Sequence, residues 1–199
     1  MIKRNSILIL TLLLSFFLIF GGSQTFAAKK AKKVLYLKNN IHAQARPERG
    51  GKTVNRGSYA NYVDPGEGHF FFPVNTPVEI KTKGSFRGKM LVITSQKDGK
   101  IIYLECNEKN MGMGMKEYID VIASPQKVSL KGLSKLDSKG IRNGKAYKGM
   151  TKKGVRMALG YPAKHKTPSL KSNTWTYWRD RFRMRLVTFN SKGRVIRIQ

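Results

Sequence analysis

The chain is 199 residues long and carries 39 Lys and Arg against 11 Asp and Glu, a formal charge of +28. Hydrophobic residues make up 40% and aromatic residues 10%, enough to build a core and too many for a disordered tail. A single Cys excludes a disulfide framework and a Cys-based zinc cluster.

The first residues read as an export signal. Lys3 and Arg4 precede an apolar run from Ile7 to Phe20, broken only by Thr11 and Ser15. That run is shorter than the ~18–20 residues a membrane span requires. Thr25 and Ala27 then supply small residues at the −3 and −1 positions, so residues 1–27 are expected to be cleaved as a signal peptide. No Cys lies at this junction to accept a lipid. The mature chain is expected to be exported, periplasmic or extracellular, soluble and not lipidated. It would begin with a basic arm, Lys29 to Lys33.

Residues 28–125 read as a β-rich N-terminal domain. Val34 to Leu37 forms a first strand, and residues 39–68 form a long polar loop with a short strand around Tyr59 to Val63. Phe70 to Ile80 reads as a strand interrupted by turn residues. Met90–Thr94 and Lys100–Leu104 flank Asp98-Gly99, a hairpin signal. Short strands on long loops predict a small barrel or curled sheet. Met111-Gly-Met-Gly-Met115 suggests copper by its thioethers, but alternating Gly fixes no ligand spacing and Met commonly fills gaps beside a core. Met115, Ile119 and Ile122 then fall at helical spacing.

Residues 126–140, rich in Lys, Ser and Gly, read as a linker or irregular lead-in to an α+β domain over 141–199. Thr151 is placed to cap a helix, with Val155, Ala158 and Leu159 on one face. Gly160 fits the left-handed position after the helix, and Pro162 blocks its continuation. Trp175–Trp178, Phe182–Phe189 and Val195–Ile198 read as three strands. The fold class is therefore α+β: a barrel-like β domain, then a helix packed on a three-stranded antiparallel meander.

Gly149, Met150, Thr151, Val155, Leu159, Gly160, Pro162, Trp175, Tyr177, Phe189 and Gly193, in that order, resemble the SmpA/OmlA (BamE-like) family of outer-membrane assembly lipoproteins. The resemblance covers residues 141–199. It implies a helix sealing a sheet, and a place in the β-barrel assembly machinery of the outer membrane. The same layout is similar to that of secreted β-lactamase inhibitor proteins. The chain departs from the family by lacking the lipid-acceptor Cys and by carrying its own N-terminal domain. That domain, through Pro73-Val74-Asn75-Thr76-Pro77-Val78, resembles a bacterial SH3-like barrel.

Catalytic chemistry has little support in the residues. Cys106 could act as a nucleophile with His69 or His165 as base, but no accompanying motif is present, and a thiol ending a hydrophobic strand is usually buried. His42, His69 and His165 fall in polar segments read as solvated, so no metal site and no cofactor are expected. Asp64 and Glu67 flank a Pro-Gly turn.

The basic residues are more informative. Residues 126–199 hold 20 Lys and Arg against Asp137 and Asp180 alone. Arg179, Arg181, Arg183 and Arg185 alternate with Asp180, Phe182, Met184 and Leu186. If the stretch is extended, four guanidinium groups share one face; a turn near Asp180 would split the row. With Lys152 and Lys153 they form the candidate anion- or partner-binding set. The expectation is a non-catalytic binding or assembly protein of the cell envelope. Its partner would be an anionic lipid, lipopolysaccharide or cell-wall polymer, or an envelope protein, with peripheral membrane contact allowed and nucleic acid not expected. The alternatives are a secreted inhibitor or peptide-binding module using the same sheet, and a cell-wall hydrolase accessory or enzyme.

Overall fold

A computed structural model describes residues 34–48, 50–85 and 88–199; residues 1–27, read as a signal peptide, and the basic stretch Lys29 to Lys33 fall outside them. The described residues belong to one compact unit, Lys32–Gln199. Eight strands make a curled mixed sheet: β1 (Leu35–Leu37), β2 (Ile41–Pro47), β3 (Thr53–Ser58), β4 (His69–Phe72), β5 (Pro77–Ser85), β6 (Gly88–Ser95), β7 (Ile101–Cys106) and β8 (Ala123–Ser124). Their spatial order is β4-β2-β3-β7-β6-β5-β1-β8, and every neighbouring pair is antiparallel except β3 with β7. Alternation drives the central strands: Leu91 and Ile93 of β6 and Ile102 and Leu104 of β7 point into the core while their neighbours do not. The expected hairpin at Asp98-Gly99 is present, with Gly99 at φ 71°.

Two helices follow, α1 (Glu108–Met111) and α2 (Met115–Ile122). Met111, Met115, Tyr118 and Ile122 complete the first core, so the methionine run is largely packing material there. Residues 39–68, expected as mostly loop, instead supply β2 and β3. Their buried positions include His42, Gly57 and Ser58, so the alternation was not written in apolar residues. The strand expected at Tyr59 to Val63 is a single parallel bridge between Tyr62 and Trp178.

The second half holds α3 (Lys135–Asn143), α4 (Lys152–Leu159), and an antiparallel sheet of β9 (Thr174–Trp178), β10 (Met184–Phe189) and β11 (Val195–Ile198) in the order β11-β10-β9. Helix α4 and the meander match the expected layout. Met150, Val155, Leu159, Trp175, Tyr177 and Phe189 are all buried in its core, with the Trp175 and Phe189 rings edge to face at 4.8 Å. The residues resembling the lipoprotein family are thus spent on structure. Pro162 is buried just beyond α4, and Gly160 has φ 84° and ψ −171°, outside the left-handed helical basin expected for it but still glycine territory.

Helix α3 corrects the reading of residues 126–140 as linker, because it begins inside them. Its signal is polar: Ser134 caps the Asp137 N–H, and the Asp137 carboxylate accepts from the Ser134 N–H in return. The same carboxylate accepts from the Thr151 N–H at 2.8 Å and its hydroxyl at 3.2 Å, joining the starts of α3 and α4. A side chain at Gly154 would overlap that carboxylate, so the position requires glycine.

Asn40, between β1 and β2, is fully buried and joins the two halves. Its Nδ2 donates to the carbonyls of Ile141 at 2.7 Å and Ala158 at 3.2 Å, its Oδ1 accepts from the Val74 N–H, and its own N–H donates to the Met157 carbonyl. Val63 and Val74, from the N-terminal sequence, pack into the second core. Asn40→Ala should therefore cost about 2–4 kcal/mol, through lost bonds and stranded carbonyls. Urea unfolding read by Trp fluorescence and by circular dichroism should shift together; an unmoved fluorescence transition would show that the halves are energetically independent.

Candidate anion-binding cleft

The β9–β10 hairpin decides where the candidate arginines go. Strand β9 stops at Trp178 and β10 starts at Met184, so residues 179–183 form the turn and the four arginines do not share a strand face. Asp180 builds that turn. Its carboxylate accepts from the N–H groups of Phe182 at 2.9 Å and Arg183 at 3.0 Å and from Arg183 Nε at 2.6 Å, and the Arg179 N–H donates to the Arg183 carbonyl. The backbone bond from Phe182, then the Arg183 guanidinium, hold the Asp180 carboxyl down at about 2. At the base, Arg179 and Arg185 both reach Asp64, at 3.9 and 3.5 Å. Burial pulls the Arg185 guanidinium below its ordinary range, and Asp64 acts against that.

Three of the four arginines are therefore paired with acids. Arg181 is exposed and pairs with no acid among the described residues. Lys152 is structural: its Nζ donates to the carbonyls of Lys171 and Ser172 and lies over the Trp175 and Phe189 rings. Lys153 is exposed on α4.

Arg181 stands at a cleft of about 340 Å³ whose other walls, His165 apart, the sequence did not single out as a site. The end of β3 and the chain after it supply Arg56, Tyr59 and Tyr62; β2 supplies Arg46, β7 supplies Glu105, and β9 supplies Trp178. His165, from the loop after α4, is stacked on Trp178 with ring centroids 6.3 Å apart and planes 21° apart. The Tyr62–Trp178 bridge and the bond from Val63 N–H to the Trp178 carbonyl fix the floor. Burial raises the Tyr62 phenol, partly offset by a hydrogen bond with Ser58. Arg56 is held by Glu48 and Glu105, whereas Arg46 bonds only the neutral Gln44 side chain and, like Arg181, pairs with no acid among the described residues. Aromatic residues lining a cleft together with two guanidinium groups that have no acid partner among the described residues suit an anionic ligand carrying a flat or ring-shaped unit. The separate segments of this cleft meet only after folding, which is why no local pattern revealed it.

The histidines and the thiol are arranged differently from their solvated and reactive readings. Cys106 is buried, donates weakly to the Leu104 carbonyl, and burial pushes its thiol up to about 12, so it is no thiolate at neutral pH. Among the described residues no group of three His, Cys, Asp or Glu is placed to hold a metal ion. His42 corrects the reading as a solvated loop residue: it is buried in β2, its Nε2–H donates to the Ala158 carbonyl at 2.8 Å, and its Nδ1 accepts from His69 Nε2–H at 3.0 Å. Burial keeps His42 neutral, and a neutral His42 that gives Nε2–H to Ala158 has only its Nδ1 lone pair to offer His69.

No family model, curated protein or solved structure matches the chain. Among the described residues no helix is long and apolar enough to cross a membrane.

Burial, first of all, and the neighbouring His69 lower His42 from 6.5 to about 4, while the Ala158 bond and Asp64 act the other way. Unfolded His42 takes up a proton below pH 6.5, whereas folded His42 does so only near pH 4. The folded state therefore loses stability as pH falls through that window, by up to about 3 kcal/mol. His69, lowered by burial and by Lys145, acts in the same direction. Denaturant titrations at pH 7.5, 5.5 and 4.5 should show the decline, and His42→Gln should flatten it. An unchanged slope in that variant would assign the acid sensitivity to other groups.

Proposed function

We propose that the protein is an exported, non-catalytic binding protein of the cell envelope that takes an anionic component into the Arg181–Trp178 cleft. The observation that carries this reading is the pair Arg46 and Arg181, uncommitted to any acid among the described residues, beside an aromatic floor. The concentration of positive charge in residues 126–199 supports it by drawing polyanions toward the site. The protonated, buried Cys106 offers no nucleophile and supports the non-catalytic part. Lys3–Arg4, the short apolar run and Thr25-Phe26-Ala27 support export. The helix on its meander supports the likeness to the SmpA/OmlA (BamE-like) family, and hence an assembly role, without naming a partner.

A peptide-binding module is the second reading. An adjoining apolar groove of about 200 Å³, lined by Tyr59, Met111, Met113, Tyr118, Pro162 and Leu170 among others, favours it.

Two soluble probes test the cleft: polygalacturonate oligomers for carboxylate and polyphosphate for phosphate. In a Trp175→Phe background Trp178 reports binding directly. Arg181→Gln should weaken the preferred probe about tenfold, as expected for losing a charge-assisted contact, while Lys153→Gln outside the cleft should change little. Equal losses from both variants, or a Trp178 signal that ignores both probes, would remove the cleft from the binding reading.

A further inference from the structure

Phe182 is 86% exposed at the tip of the β9–β10 hairpin, and Met184 beside it is 49% exposed. A lone apolar side chain at a surface is ordinary. This one differs in being an aromatic ring held clear of the core by a turn whose geometry is fixed at both ends. Asp180 caps the Phe182 and Arg183 N–H groups, Arg179 closes the loop on the Arg183 carbonyl, and Asp64 ties Arg179 and Arg185 at the base. The ring is flanked in the chain by Arg181 and Arg183. The one acid in the turn, Asp180, is occupied within it.

We propose that this tip docks the protein on an anionic lipid bilayer, with the Phe182 ring seated in the headgroup layer and Arg181 on lipid phosphate, while Arg183 stays on Asp180 and holds the turn. The neighbours of the ring favour a bilayer over a protein. The core of a protein interface is depleted in charge and continuous in apolar area, whereas Phe182 is a single exposed ring whose chain neighbour Arg181 has no acid partner among the described residues. A headgroup layer accepts that mixture: aromatic rings settle at the water–hydrocarbon boundary, and nearby cations gain from anionic lipid. One ring and a few cations give shallow, reversible binding. This surface is additional to the cleft and stands without it, although Arg181 borders both.

Co-sedimentation with vesicles of phosphatidylcholine containing 30% phosphatidylglycerol, against pure phosphatidylcholine, is the test. The wild-type chain should bind the anionic vesicles and not the neutral ones. Phe182→Ser keeps the charge and, at an exposed position, the fold; it should weaken binding about tenfold, in line with removing a partly buried ring. Binding of the soluble cleft probes should be untouched in that variant, which separates failure here from failure of the cleft. Phe182→Trp in a Trp178→Phe background should shift its emission to the blue and be quenched by brominated lipid, with buried Trp175 out of reach. Unaltered binding by Phe182→Ser, or an unshifted and unquenched Trp at 182, would overturn the proposal in favour of charge alone. Self-association of the wild type that Phe182→Ser abolishes would overturn it in favour of an interface between copies.

Discussion

The C-terminal end of helix α4 is the point on which the arrangement depends. The last carbonyls of any helix lack partners within it and must find donors elsewhere or face water. Here Met157, Ala158 and, from α3, Ile141 find them in the N-terminal sheet: the Asn40 N–H, the Asn40 side chain and the His42 imidazole. Apolar cores tolerate sliding, but these bonds are directional and buried, so they set the register of one half against the other. The cleft inherits that precision because its walls come from both: Tyr59 and Glu105 from one side, Trp178 and His165 from the other.

A second constraint explains how so basic a segment folds. Residues 126–199 contain two acids, and each is given a structural task. Asp137 is 1% exposed and serves the starts of two helices; Asp180 organises the hairpin turn. A carboxylate at a helix start gains from the N–H groups and the dipole there, a use that does not depend on pairing with a lysine. With both acids so engaged, most of the surrounding cations have no counterion within the segment. The charge remains outward and long-ranged, screened only by salt.

What the sequence disclosed follows from where apolar residues carry the pattern. Val155, Ala158 and Leu159 announced α4, Trp175 and Tyr177 announced β9, and Asp98-Gly99 announced the β6–β7 turn, because in each the buried face is apolar and local. Strands β2 and β3 were hidden because His42 and Ser58 occupy inward positions, and a buried imidazole reads as a loop residue until its partners are known. Helix α3 was hidden because Leu136 and Ile141 are its only large apolar residues, while its strongest signal, the Ser134–Asp137 box, looks like ordinary polar sequence. The alternating arginines had the period of a strand, and the possibility of a turn at Asp180 was visible. Which outcome holds depends on a side chain accepting two consecutive backbone N–H groups, a choice that periodicity does not encode.

The split of the arginine row changes what those residues can do. Four guanidinium groups on a flat strand would present a uniform stripe, suited to any polyanion and selective for none. The turn instead assigns them unequal roles: Arg179 and Arg185 secure the base through Asp64, Arg183 braces the turn through Asp180, and Arg181, with no acid partner among the described residues, stands beside the aromatic residues of the cleft. Holding the hairpin by its two ends lowers the conformational entropy that Arg181 and Phe182 would otherwise lose on meeting a ligand or surface. Selectivity then comes from position more than from total charge. On the proposed reading, the net positive charge would govern how fast an anion arrives, and the geometry around Arg181 would govern which anion stays.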